Sequence, residues 1–452
     1  MISLFNKQLS ERKIEETVNK VISALKEDKT DLAWKELSPL LKAQKTQEKV
    51  ASSLIQIVEE NHLSIEQGLE ILESIYNEHK DNIKIVSNIG DALESVRDID
   101  QLNISPPEHP LFNSVVNTLI KALEDCNPKD EELILSGLST ATRMMGRQYD
   151  SVAESSYFRL TELDPDYAPY HYCYGLFCKT RGMFKEGMSA NQKAASLVEE
   201  NIDSYQWNLG ICATGAGEAE VALKVWKDMG NKIEIGRFNL PDGGYPDCKV
   251  RLAERPLAER DSGNDSPGLE ETIWIERLSP CHGIIRSVLY QDLGIDYGDV
   301  VLMDGAPITY HTYGEQQIPV FPHLATLVKS DYNFFDFAAT QEHEGQVRDI
   351  STSLSKDAVV YSHTENYQVL CATCWRDPNK DHTDHQKEEK HVVTGRIAAP
   401  ADIQPSELLD QIDKAISELE NCKIYSPQLC ELAGQIERAE VEKRRYDMLV
   451  RN

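Results

Sequence analysis

The chain lacks any long apolar run: nothing in its 452 residues approaches the ~18 consecutive apolar residues that a membrane-crossing helix needs. Its opening, Met1-Ile-Ser-Leu-Phe-Asn-Lys-Gln-Leu-Ser10, turns polar and charged at once, so no secretory leader is expected. Positive charge is scarce. Lys and Arg number 47 against 75 Asp and Glu, a formal net charge of −28. So acidic a surface repels phosphate backbones, which argues against general nucleic-acid binding. The ten cysteines are scattered and form no dense framework, so reduced thiols in a cytoplasmic protein are expected. Phosphate-binding loops are missing too. Gly294-Ile-Asp-Tyr-Gly298 has neither phosphate-loop nor dinucleotide-loop spacing, and no Gly-Lys-Ser/Thr follows it. What the chain does have is 40% hydrophobic residues, enough for real cores and too many for wholesale disorder.

Residues 1–230 read as helical almost throughout. Ile14, Val18, Val21, Ile22 and Leu25 recur at three- and four-residue steps, as one buried helix face does. The spacing returns in Leu54, Ile55 and Val58 and in Leu69, Ile71, Leu72 and Ile75. Short polar breaks such as Glu27-Asp28-Lys29-Thr30-Asp31 suit antiparallel neighbours. Ser105-Pro106-Pro107-Glu108-His109-Pro110 reads as a connector between two helical blocks.

An internal period follows. Ala153-x3-Tyr157 with Pro165 precedes Gly175, Gly182 and Ala194; then come Trp207, Leu209-Gly210, Gly217 and Ala222-x3-Trp226. Gly175 and Gly210 are about 35 positions apart, as are Gly182 and Gly217. These residues resemble the tetratricopeptide repeat, a helix–turn–helix unit in which small residues let paired helices approach and an aromatic fills the seam. Three repeats are visible, at roughly 134–167, 168–202 and 203–230, and a degenerate earlier one includes Asn88-Ile89-Gly90. The chain departs from the pattern at Gly187, where alanine is usual, and at Glu199, where the unit closes on proline. The resemblance implies an α-solenoid that binds a protein or peptide along its groove.

From Gly236 the character changes. Asn239-Leu-Pro-Asp-Gly-Gly-Tyr-Pro-Asp247 and Asp261-Ser-Gly-Asn-Asp-Ser-Pro-Gly268 are turn and linker chemistry. Thr272–Ile275, Gly283–Tyr290 and Asp299–Met303 read as strands, with Asp304-Gly305 as a hairpin turn. Ala358–His363, Gln368–Trp375 and His391–Ile397 read as a meander. Leu408, Leu409, Ile412, Ala415, Ile416 and Leu419 form a helical stripe. Ser426-Pro427 caps a second helix carrying Leu429, Leu432, Ile436, Ala439 and Tyr446. The expected fold is α+β and multidomain: an N-terminal helical region (1–105), repeats (111–234), a β-rich domain (235–400) and C-terminal helices (401–452).

Eight of the twelve histidines lie between His282 and His391, so chemistry is sought in the β-rich part. Cys371-x2-Cys374 with His382-x2-His385, and His391 beyond, offers the thiolates and imidazoles that tetrahedral zinc prefers. If the pair sits in a strand, positions i and i+3 face opposite ways; both thiols reach one ion only where a bulge or turn breaks the strand. The competing reading is a cysteine in the core and a solvated loop from Asp377 to Lys390. Cys281, in Ser279-Pro-Cys-His-Gly283, is a candidate nucleophile if His311, His323 or His363 partners it, and a core thiol otherwise. Gln341-Glu-His-Glu-Gly345 with His363 and Glu365 is a weaker acid–base or metal constellation. Lys443-Arg444-Arg445 reads as a solvated helix face.

For the groove, Tyr170, Tyr172, Tyr174 and Phe177 either line it or fill the repeat core. The net charge favours a basic or neutral peptide. If Lys179, Arg181, Lys185 and Lys193 cluster on the concave face, a carboxylate-ended peptide fits instead, its terminus clamped by the lysines. The leading expectation is thus an interaction scaffold or adaptor with a protein or peptide partner and no nucleic-acid or membrane partner. The alternatives are an enzyme or zinc-stabilised effector with its Cys/His site in the β-rich part, and an inhibitory partner of a basic protein.

Overall fold

The apolar spacing of the first half is realised as helices. The computed structural model describes residues 11–27, 29–41, 48–60, 63–97, 107–199, 202–355, 357–376, 383–385 and 387–450. The chain divides into two units. The first comprises Met1–Gly243, Arg255–Gly268 and Asp304–Ala325; the second comprises Gly244–Glu254, Leu269–Met303 and Thr326–Asn452.

The first unit opens with helices α1 (Glu11–Lys26), α2 (Thr30–Leu41), α3 (Glu48–Glu59), α4 (Ile65–His79), α5 (Ile83–Ala92) and α6 (Pro110–Glu124). Val18, Val21 and Leu25 are buried, as are Leu54, Ile55, Val58, Ile71, Leu72 and Ile75. One hydrophobic cluster runs from Val18 to Met145. Ser64 and Gln67 form a reciprocal capping box at the start of α4, satisfying two backbone donors that the first helical turn leaves open. His109 caps α6 through Leu111 N–H, with Pro110 in the first turn. Of the expected connector, Ser105 and Pro106 lie outside the described residues, as does Asp28 of the first polar break.

Three helix pairs follow: α7 (Glu131–Met144) with α8 (Asp150–Leu163), α9 (Ala168–Thr180) with α10 (Phe184–Ser196), and α11 (Asp203–Gly215) with α12 (Ala219–Asp228). The periodic glycines do two different jobs. Gly175 lies against Asn191, and Gly210 against the Trp226 ring, so a methyl group at either would collide with the partner helix. Gly182 and Gly217 turn the chain between paired helices with φ of +74° and +73°, backbone that favours glycine. Ala153, Tyr157, Ala194, Ala222 and Trp226 are buried in the seams. Residues 131–228 are therefore TPR-like helical hairpins. The unit is completed by a short pair, β1 (Glu234–Ile235) with β2 (Pro241–Asp242), and by segments from further along the chain.

The second unit holds the antiparallel series β3 (Cys248–Ala253), β4 (Glu270–Arg277), β5 (His282–Ile285) and β6 (Val300–Met303). In the first unit, β7 (Thr309–Tyr313) pairs with the start of β8 (Gln316–Val328). Asp304-Gly305 is thus no hairpin turn: β6 pairs with β5, and β7 turns back onto β8 through Gly314, at φ +60°.

A second antiparallel sheet has the order β10-β11-β9-β12, built from β9 (Tyr332–Gln341), β10 (Val359–Cys371), β11 (Lys387–Pro400) and β12 (Lys423–Tyr425). The short helix α13 (Gln346–Asp349) follows β9, and α14 (Ala372–Arg376) follows β10. The expected strands 358–363 and 368–375 are one strand with an irregularity between Ser362 and Thr364, and it stops at Cys371. Alternate residues of β9 face opposite ways. Phe335, Phe337 and Ala339 join the core with Leu408, Leu409 and Ile412 of α15 (Pro405–Ser417), while Ala338 packs with Leu370, Val392 and Leu449. The C-terminal helical pair is present, its second member broken at Gly434 (φ +78°) into α16 (Pro427–Leu432) and α17 (Ile436–Val450). The break exposes Leu432 and Ile436 while Leu429 and Ala439 stay buried. Pro427 occupies the first turn as expected, but the Ser426 hydroxyl donates to the Asp336 carbonyl (2.8 Å) instead of capping the helix.

Candidate functional site

The first members of the three helix pairs, α7, α9 and α11, floor a cavity of about 680 Å³ that lies wholly within the first unit. Tyr172, Leu176 and Lys179 come from α9, Trp207, Asn208 and Ile211 from α11, and Arg143 and Met144 from α7. The opposite wall is Asp304–Ile308 with Pro322. Helical spacing brings these side chains to one face, since positions three, four and seven apart align.

Lys179 is the electrostatic centre. Its side chain is only 4% exposed, and its ammonium lies 2.7 Å from an Asp304 carboxylate oxygen and donates to Asn208 Oδ1 at 2.9 Å. A buried ammonium is tolerated because it is both paired and hydrogen-bonded. Next to this pair, Gly305 lies against the Trp207 ring, where an added methyl carbon would stand 2.9 Å away. Arg143 on the wall is paired with Glu94 at 2.6 Å. Arg181 also lines the cavity, its guanidinium bonded to Asp150 (3.0 Å) and 5.0 Å from the centre of the Phe177 ring.

The other groove residues read from the sequence lie elsewhere. Tyr170 donates to Glu132 at 2.7 Å, Tyr174 meets Phe158 edge-on, and Phe177 is core. Lys185 is exposed and outside the lining, and Lys193 pairs with Asp166 at 3.6 Å. Of the four basic residues considered for a concave cluster, Lys179 and Arg181 border the cavity, joined by Arg97 and Arg143. Asp304 escaped sequence reasoning because Asp-Gly is also turn chemistry. Trp207 could have been found, since it occupies α11 as Tyr172 occupies α9, whereas Asn208 has no counterpart of its role there.

In the second unit the Cys/His reading meets a new geometry. Cys371 ends β10 and Cys374 stands on the helical turn that follows, so the two thiols are not divided between the faces of a strand. The Cys374 N–H points at Cys371 Sγ (3.5 Å), and Cys374 Sγ lies 3.8 Å from His385 Nδ1. The three ligand atoms all lie within 4.8 Å of one another. Loss of hydration, followed by the Cys371 sulfur, raises the pKa of the Cys374 thiol above its ordinary value. His382 lies outside the described residues. His391 is on β11, bonded to Glu365 at 3.2 Å and stacked on Tyr367.

Cys281 is fully buried, 3.8 Å from the Ser279 hydroxyl, which in turn is 2.5 Å from His282 Nδ1. His311 lies on β7 and His323, buried, on β8. His363 is held by the Val288 carbonyl (2.8 Å) between the Tyr290 and Tyr361 rings. In the third constellation, Gln341 and His391 meet Glu365, while His343 sits on an exposed turn.

Among the described residues no helix is long and apolar enough to cross a membrane. No family model and no curated protein matches the chain. Among solved structures the chain is similar to MamA from Desulfovibrio magneticus, at 17% identity over 39% of this chain and 92% of that one, with a TM-score of 0.29. It is also similar to a thermophilic TPR protein of Thermus thermophilus, at 16% identity over 40% of this chain and 89% of that one, with a TM-score of 0.31.

Proposed function

We propose that the protein is an interaction scaffold whose helical unit takes a short extended segment of a protein partner into the α7–α9–α11 cavity, with a carboxylate of that segment read by the basic wall. The observation that supports this most is the Lys179 seat. A carboxylate presented by a glycine-containing loop already lies on the buried ammonium, with the neighbouring backbone against Trp207. Beyond that loop, the cavity of about 680 Å³ is within the ~300–1,000 Å³ span of ligand sites. Its border carries Arg97, Arg143 and Arg181 with Lys179 against Glu59, Glu94 and Asp304, so basic groups outnumber acidic ones there by one in a chain of net charge −28. Mixed lining suits a peptide: Leu176 and Ile211 offer apolar contact, and the basic groups fix register.

The test is a random-peptide display selection against the whole protein. Affinities of the selected peptides are then compared on wild type and on Leu176→Glu, which puts a carboxylate into the cavity. Selected peptides are expected to carry Asp or Glu and to lose about tenfold or more in affinity on the variant, a difference of ~1.4 kcal/mol. A selection without binders, or binders indifferent to the substitution, would sink the proposal.

A further inference from the structure

We propose that Cys371, Cys374 and His385 form a zinc site that fastens the open end of the β10–β11 ladder, a property independent of the helical cavity. The donor set carries the choice of metal: two thiolates and an imidazole suit zinc and disfavour the hard cations that take oxygen ligands. Around a tetrahedral zinc at ~2.3 Å from sulfur and ~2.0–2.1 Å from nitrogen, ligand atoms stand roughly 3.5–3.8 Å apart. Cys374 Sγ and His385 Nδ1 are already 3.8 Å apart, and the widest separation in the trio is at most 4.8 Å. The difference to close is at most about an ångström, and His385 is exposed.

The turn that presents the thiols is held from outside. Trp375, next to Cys374, packs with Leu370, Leu449 and Tyr425. The Arg445 guanidinium lies 4.7 Å from the centre of that indole and donates to the Arg376 carbonyl at 2.9 Å. The Cys374 N–H is directed at Cys371 Sγ, so the turn itself brings the two sulfur-bearing residues together. These supports position two ligands before any ion arrives, as outer-shell partners do in metal sites.

The third ligand explains what the ion would do. Cys371 pairs with Lys387 in the last rung between β10 and β11, and His385 stands two residues before that rung. An ion bridging Cys371, Cys374 and His385 ties the two ends of the intervening segment together and removes loop entropy from the unlinked chain. Each thiol releases its proton to solvent on binding, so affinity weakens as pH falls.

The experiment loads the full chain, purified under reducing conditions and stripped of metal, with zinc and in parallel with cobalt. The expected results are one zinc per chain, a thiolate-to-cobalt charge-transfer band with tetrahedral cobalt bands, and a rise in thermal stability on zinc addition. Cys371→Ser and Cys374→Ser should abolish the charge-transfer band or halve it. Because His385 is exposed, His385→Ala leaves the fold intact by circular dichroism. It should weaken zinc binding by more than the ~10–100-fold typical of losing an outer-shell partner. Three results would overturn the site: no bound zinc while alkylation shows both thiols reduced, the two cysteines joined in a disulfide in the presence of zinc, or cobalt spectra and affinity unchanged in His385→Ala.

Discussion

At the scale of single residues, Lys179 shows how a charge readable in sequence acquires a meaning that is not. Its place on a repeat helix was legible from the period; its carboxylate partner, Asp304, comes from a segment well over a hundred positions away, and no local pattern announces such a pairing. Breaking a buried pair by removing one member costs about 3–5 kcal/mol because the survivor is left uncompensated. Asp304→Ala should therefore lower the urea midpoint sharply, and Lys179→Met combined with Asp304→Leu should recover most of the loss. Asp91 offers a pH test. Burial raises its pKa from 3.8 to about 6, against opposing hydrogen bonds from Ser136 and Thr140. Between those values the folded chain keeps a proton that the unfolded chain has released, so stability declines as pH rises through the window and stays lower above it. Asp91→Asn should then stabilise by about 1–2 kcal/mol at pH 7 and change nothing well below pH 4, measured by urea unfolding at both. Thiol reactivity separates the cysteines. Burial pushes Cys178 and Cys430 up to about 12 and Cys248 and Cys422 to about 11, and Cys281 is fully covered. Brief alkylation of the native, metal-free chain at pH 8, read by peptide mapping, should label the partly exposed Cys126, Cys371 and Cys374 before these buried thiols. Labelling of Cys281 at their rate would contradict its burial.

At the scale of elements, the helical hairpins were legible because one spacing recurs in both the seam glycines and the turn glycines. Those two roles predict different penalties. At Gly90 an added methyl carbon would stand 2.6 Å from the Gly137 backbone oxygen, a neighbour that cannot rotate away. Gly90→Ala should cost about 1–3 kcal/mol as overpacking between α5 and α7. Gly217 meets nothing within 4 Å, so Gly217→Ala carries only the strain of φ +73°, about 1 kcal/mol. Thermal unfolding of the two variants should rank them in that order. The end of β10 was not legible. Val369, Leu370 and Cys371 form the short apolar run of a strand, and nothing in Ala372-Thr-Cys-Trp-Arg376 breaks a strand by itself. The turn there is fixed by Trp375 packing against Tyr425 and Arg445, contacts made only after the sheet and the last helix are in place. Gly434 likewise divides the final helix at a point where the apolar stripe runs on, so the periodicity alone overstated that helix's reach.

At the scale of the whole molecule, composition separated a helical half from a β-rich one, but membership of the two units does not follow that division. Arg255–Gly268 and Asp304–Ala325 belong with the helices. Arg147, 5% exposed, depends on the first of these segments: its backbone N–H donates to Asp265 at 3.0 Å and its guanidinium to the Leu257 carbonyl. A chain ending at Gly243 keeps every helix from α1 to α12 yet deprives Arg147 and Lys179 of these partners. It should melt well below the corresponding transition of the full chain, as followed by helical circular dichroism; equal melting would show that the two segments are dispensable. The same arrangement sets an order in time. At ~5–20 residues per second, Asp304 leaves the ribosome roughly 4–15 s after Asp228, the end of α12. For that interval the helices are outside the ribosome with the Lys179 seat open, so a newly made chain displays its groove before its own aspartate arrives to cover it.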